Sequence, residues 1–144
     1  MSGVVATAAL SRRAAGALLG AALVFAACTR ADAPVDPVWG KEPCAHCKML
    51  VGDRRYAAQL VDDSGERKYF DDVGCLLLWM EAHKPPARSW VHDAASSAWL
   101  DARTASYVPG ARTPMDFGFE ARASGGVAFD AAREAVLAKG RSRP

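Results

Sequence analysis

The feature that constrains this chain most is the run between Asp72 and His83, which is apolar on both sides. Val73, Leu76, Leu77 and Met80 recur at i, i+3, i+4 and i+7 and define one helical face. Cys75, Leu78 and Trp79 make the opposite side apolar as well. A helix that is greasy on two sides has to be covered twice, so it belongs at the centre of the fold. Asp71 or Asp72 can cap its start, and His83-Lys84 followed by Pro85-Pro86 ends it.

The flanking segments supply the layers. Tyr56 to Val61 reads as a strand, Asp62-Asp63-Ser64-Gly65 as a turn, and Arg67 to Phe70 as the returning strand of a hairpin. Ser89 to His92 reads as a third strand, so residues 44–94 form a ββαβ unit. The second half, residues 95–144, repeats the order more weakly. Ala98 to Asp101, Ser106 to Val108 and Phe117 to Ala121 are candidate strands. Gly125-Gly126 then precedes an amphipathic helix from Val127 to Ala138, which Gly140 is expected to close. The expected fold class is therefore α+β, built from two small units of ββα(β) type.

Residues 1–27 read as an export signal. Arg12 and Arg13 precede the uncharged, Ala-rich run Ala14 to Ala27. That run is shorter than the roughly 20 apolar residues that a membrane-spanning helix needs. Cys28 follows Phe25-Ala26-Ala27 directly, in the manner of a bacterial lipobox, and is the expected lipidation site. Residues 28–43, with Pro34, Pro37 and Pro43, then read as an extended tether between lipid and domain. The leader holds two arginines and no acid, so the remaining chain has as many basic as acidic residues. A neutral chain offers no electrostatic case for nucleic acid. Its serines and acids form no triad or paired-carboxylate site, and Gly125-Gly126 lacks the flanking residues of a phosphate loop. The expectation is a binding protein and not an enzyme.

The chemistry concentrates in Cys44-Ala45-His46-Cys47-Lys48-Met49. Two thiols three residues apart can converge on one ion from a tight turn. Met49 adds a thioether, and thiolate with thioether is a soft set that suits Cu(I). His46 and Cys75 are further candidate ligands, and the helix dipole is expected to favour a Cys75 thiolate. A Cys44–Cys47 redox disulfide and a structural zinc site using Cys44, Cys47, Cys75 and a histidine are the competing readings, and Met49 is otherwise core filler. Met115, after Thr113-Pro114, offers another thioether or an ordinary apolar contact. His83 can serve simply as a cap. His92 fits either a ligand or a surface position at a strand end.

These blocks together resemble the NosL-type accessory lipoproteins of nitrous oxide reductase. The resemblance runs through the lipobox, Cys44 to Met49, Asp53-Arg54-Arg55-Tyr56-Ala57-Ala58-Gln59, and Tyr69-Phe70-Asp71-Asp72-Val73-Gly74-Cys75. It continues in Trp99-Leu100-Asp101-Ala102, Tyr107-Val108 and Thr113-Pro114-Met115. It implies a periplasmic, membrane-tethered Cu(I) carrier that supplies nitrous oxide reductase or its assembly machinery, on the outer membrane where a cell has one. It implies two small units in an organomercurial-lyase-like arrangement. It implies metal handling by Cys44, Cys47, Met49, Cys75 and Met115. Two positions depart from the family pattern: Lys48 stands where glycine is expected, and Lys139 to Pro144 leaves no last strand after the second helix.

Overall fold

The structure is a computed structural model, and residues 32–142 are described. The export leader and Cys28 lie outside the described residues. A 3-10 turn, Arg54–Tyr56, leads into strand β1 (Ala58–Val61), and β2 (Arg67–Phe70) returns antiparallel to it. Helix α1 (Val73–Ala82) follows, then β3 (Arg88–His92), β4 (Trp99–Asp101), β5 (Ser106–Pro109), β6 (Phe119–Arg122) and helix α2 (Phe129–Arg141). The fold is α+β with two small antiparallel sheets, ordered β2-β1-β3-β4 and β5-β6. The strand–strand–helix pattern does recur, as β1-β2-α1 and β5-β6-α2.

Helix α1 is covered twice, as its composition demands. One side packs on β1 and β2, and the other meets α2 and β6. Val73, Gly74, Cys75, Leu76, Leu77 and Trp79 are all buried. Asp72 is the N-cap, accepting a hydrogen bond from the Gly74 N–H at 2.7 Å. Gly74 is needed for packing: a Cβ there would lie 2.1 Å from the Phe117 ring. Phe117 therefore seats directly on the first turn of α1.

Three segments differ from their sequence reading. Trp99–Asp101, expected to open the second unit, instead pairs with β3 and forms an edge of the first sheet. Gly140, expected to close the second helix, lies inside α2, where its missing side chain lets the helix approach Leu78 of α1. The tether is the third correction. From Asp32 onward it is not a free spacer but a strap across the outer face of the first sheet.

The cause of the strap lies in the sheet itself. Ala58 and Leu60 alternate with Gln59 and Val61 along β1, yet all four are buried. The face carrying Gln59 therefore needs its own cover. Val35 N–H donates to Gln59 Oε1 at 3.0 Å, and Arg67 Nη2 donates to the Ala33 carbonyl at 2.8 Å. The Trp99 indole N–H donates to Asp36 at 2.8 Å. Trp39 sits edge-on to the buried His92 ring, with the Arg54 guanidinium 4.6 Å above it. A strap of this kind contributes to folding stability, whereas a spacer does not. Trp39→Ala should lower unfolding free energy by roughly 2–3 kcal/mol in urea titrations, less than the 3–5 kcal/mol of a fully buried tryptophan. An unchanged midpoint would mean that the strap is only a tether.

Candidate metal centre

The cluster is assembled where β2 ends and α1 begins. The chain folds back from the strap in a narrow hairpin: Gly40 N–H donates to the Val51 carbonyl, and Cys44 N–H to the Met49 carbonyl at 2.7 Å. Ala45 N–H donates to the Tyr69 carbonyl at 2.8 Å, which fastens the hairpin tip to the end of β2. The tip closes as a tight turn in which Lys48 N–H reaches the Cys44 carbonyl. Lys48 adopts φ +70°, the left-handed conformation that favours glycine. This explains why glycine is expected at that position. Lys48 holds the same backbone geometry and returns its ammonium to the Ala45 carbonyl at 2.8 Å.

Cys44, Cys47, Cys75 and Asp71 each place one ligand atom so that all four lie within 4.8 Å of one another. All three cysteines are free thiols. Cys44, Asp71 and Cys75 are buried, while Cys47 is half-buried and marks the open side. Three sulfurs and one carboxylate oxygen converging in this way make a donor set compatible with metal binding. Asp71 was foreseen as a helix cap and not as a ligand. The signal that could have found it is its position: it is the residue between the end of β2 and the N-cap, four before Cys75.

The protonation pattern is uneven, and its causes are geometric. Cys44 is held down to about 6. The Cys75 thiol donates to its sulfur, and the backbone N–H groups of Cys47, Asp71 and His46 surround it, with Cys47 N at 3.5 Å. Cys47 is pushed up to about 12, first by burial, and its thiol donates to Asp71 Oδ1 at 3.2 Å. Cys75 is pushed strongly up because it donates to Cys44 and is buried. The dipole expectation for Cys75 is thus overturned. Its hydrogen bond to Cys44 and its burial push Cys75 up, and Cys44 is the thiol held down.

The other sequence candidates sit around this group. Met49 is 51% exposed on the loop. Met115 is half-buried against the core, and its backbone N–H donates to Asp72 Oδ2 at 2.9 Å, so its segment is pinned to the start of α1. His46 is exposed and stands outside the converging group. Burial, Lys48 and His83 hold its imidazole below the ordinary value. His46 lines an open cavity of about 720 Å³ together with Trp79, His83 and Lys84. His92 is no surface residue: it is 3% exposed, beneath the strap.

No protein-family model matches this chain, and no curated protein is similar to it in sequence. Among solved structures it is similar to the crystal structure of the copper chaperone NosL from Shewanella denitrificans. The identity is 16%, the TM-score 0.55, and the match covers 74% of this chain and 87% of that chain. The chain has a NosL-like fold. The likeness extends over most of the described residues and concerns architecture, with the metal reading resting on the cluster itself.

The thiol arrangement can be read optically. In a reduced, metal-free Cys28→Ser protein, ultraviolet thiolate absorbance should rise by one cysteine's worth near pH 6 and not again until well above pH 9. Cys44→Ser should remove the first step. A single joint rise of all three thiols near their ordinary value would show that the Cys75–Cys44 hydrogen bond does not form.

Proposed function

We propose that this protein is a Cu(I) carrier that takes the ion on Cys44, Cys47 and Cys75 and passes it to a copper-receiving enzyme outside the cytoplasm. The single observation that carries the reading is the convergence of three thiols, two of them buried and one opening to solvent. Thiolates favour soft ions, and Cu(I) is stable with two or three of them. The Cys44 thiolate gives an incoming cation a ready anchor. Cys47 and Cys75 then lose their protons as the metal replaces them, so affinity rises with pH. Reprotonation of Cys47, with Asp71 as its hydrogen-bond acceptor, is the reverse step that loosens the ion for release. Met49, half in solvent two residues beyond Cys47, offers a soft donor at the point of exchange.

The fold likeness to a copper chaperone supports the same reading. On it, the client is nitrous oxide reductase or its assembly machinery, and the protein is a periplasmic lipoprotein held to the membrane through Cys28, on the outer membrane where there is one. The strap adds a geometric consequence. Asp32 pairs with Arg88 at 3.6 Å, at the end of the sheet where Val61, Arg67 and Arg88 align. The cluster lies at the opposite end, beyond Phe70. A lipid on Cys28, only about 14 Å of extended chain from Asp32, would hold the domain close to the bilayer with its metal end outward.

One observation favours zinc as a second reading. Asp71 completes a four-donor set, and four donors is the number a structural zinc site uses. The two readings separate in an anaerobic competition titration with chromophoric chelators. The carrier predicts tight Cu(I) and weak Zn(II) binding. It also predicts a fold that survives chelation, because the buried core from Cys44 to Val136 is mostly hydrocarbon packing, with Cys44 and Cys75 the only proposed ligands in it. Cys44→Ser should weaken Cu(I) by at least about 100-fold, while Asp71→Asn should alter it by less than about 10-fold. Tight zinc binding with unfolding on chelation would make the cluster a structural staple.

A further inference from the structure

The outer face of the first sheet buries an ionisable ring that the metal chemistry does not use. His92, the last residue of β3, is 3% exposed. Two indoles stand nearly perpendicular to it, Trp39 of the strap at 6.1 Å and Trp99 of β4 at 5.1 Å between ring centroids. His92 Nδ1 is buried and has no hydrogen-bond partner among the described residues, and the same holds for the Trp39 indole N–H. Such a site tolerates a neutral imidazole. An imidazolium there would carry a charge without water and an N–H without an acceptor.

The charged groups around the ring are Asp36 of the strap, Arg54 of the 3-10 turn, and Asp93, its neighbour in the chain. Both carboxylates already have partners. Asp36 accepts from the Trp99 indole at 2.8 Å and lies 3.8 Å from Arg54. Asp93 accepts from the Ala95 N–H at 2.9 Å and from the Ser96 hydroxyl at 3.0 Å. Burial holds the imidazole below its ordinary value and Arg54 adds to this, while the Asp93 backbone and the two carboxylates pull the other way.

The strap itself is held at few points. Val35 binds Gln59, Ala33 binds Arg67, Asp36 binds Trp99, and Trp39 packs on His92. It ends at Gly40, which has φ +71° and open space where a Cβ would stand. Beyond that corner the hairpin has its own fastenings, from Cys44 N–H to Met49 and from Ala45 N–H to Tyr69. The strap can therefore leave the sheet while the hairpin stays.

We infer that His92 is a proton-operated latch, whose protonation frees residues 32–39 from the sheet while the domain stays folded. Lifting the strap lets water reach the charged ring. The free strap leaves a ring of ordinary proton affinity and the docked strap one of reduced affinity, so docking weakens as pH falls below about 6.5. On the lipoprotein reading, the freed segment adds roughly 25 Å to the reach of the domain from its anchor. The latch depends neither on that reading nor on the metal.

The test follows the full chain, labelled with 15N, by NMR from about pH 8 to about pH 5. The Val35 amide and the Trp99 indole N–H, both hydrogen-bonded only when the strap is docked, report on the strap. The ring nitrogens of His92 report its protonation, and the amides of the paired Leu60 and Ser89 report on the sheet. Both strap signals should shift together with the His92 ring, at one midpoint below about 6.5, while Leu60 and Ser89 stay unmoved. His92→Gln should keep the strap docked over the whole range. Asp36→Asn retains an acceptor for the indole and should keep the step at slightly lower pH. Loss of the step in that variant would assign it to the carboxylate and overturn the latch. A strap that stays docked throughout, or sheet amides that melt together with it, would overturn it as well. Should His92→Gln fail to fold, the coincidence of ring and strap midpoints in the parent decides: separate midpoints overturn the inference.

Discussion

The carboxylate of Asp72 is the point on which the rest of the structure depends. One oxygen caps α1 through the Gly74 N–H, and the other takes the Met115 N–H at 2.9 Å. The group is fully buried, so both bonds are needed to offset its loss of water. Through it the end of β2, the start of α1 and the loop between the two strands of the smaller sheet meet at one place. Phe117 then fits against Gly74 because nothing occupies the Cβ position. Asp71 and Cys75 flank this knot on either side in sequence, and their positions relative to each other follow from it.

The hairpin tip completes the centre, and its chemistry follows from where hydrogen bonds end. Three backbone N–H groups and one thiol converge on Cys44. On the proposed carrier reading, Cys44 is the sulfur that offers an anion to an incoming ion, while the other two keep protons to exchange. A cluster with three preformed thiolates would repel itself, and one with none would bind slowly and weakly at neutral pH. On that reading the uneven protonation balances capture against release. Burial sets the access: Cys44 and Cys75 are closed off, and Cys47 is the half-buried thiol of the three.

Much of this was legible in the chain. The double apolar face of Val73 to Met80 announced a central helix, and Asp72, the hairpin and the Cys-x-x-Cys tip were readable from turn and capping chemistry. The grouping of Cys75 with the tip followed from the resemblance and from its place among the candidate soft ligands. What could not be read was long-range. Three prolines made the segment before Cys44 look like a spacer, because nothing local shows that Gln59 faces a second layer. Trp99 changed sheets because of an edge on β3, and Gly140 stayed helical because of a contact with Leu78. Asp71 was hidden by its neighbour: of two adjacent acids one caps and one faces the sulfurs, and only the turn geometry separates them. The burial of His92 beneath the strap is likewise invisible in a list of residues.

On the proposed reading, Cys44, Cys47 and Cys75 act together on one soft ion. X-ray absorption at the copper edge of the Cu(I)-loaded, Cys28→Ser protein tests it most directly. Three sulfurs should surround the copper, falling to two when Cys75 is replaced by serine. A shell dominated by nitrogen or oxygen, or one that Cys75→Ser leaves unchanged, would contradict it.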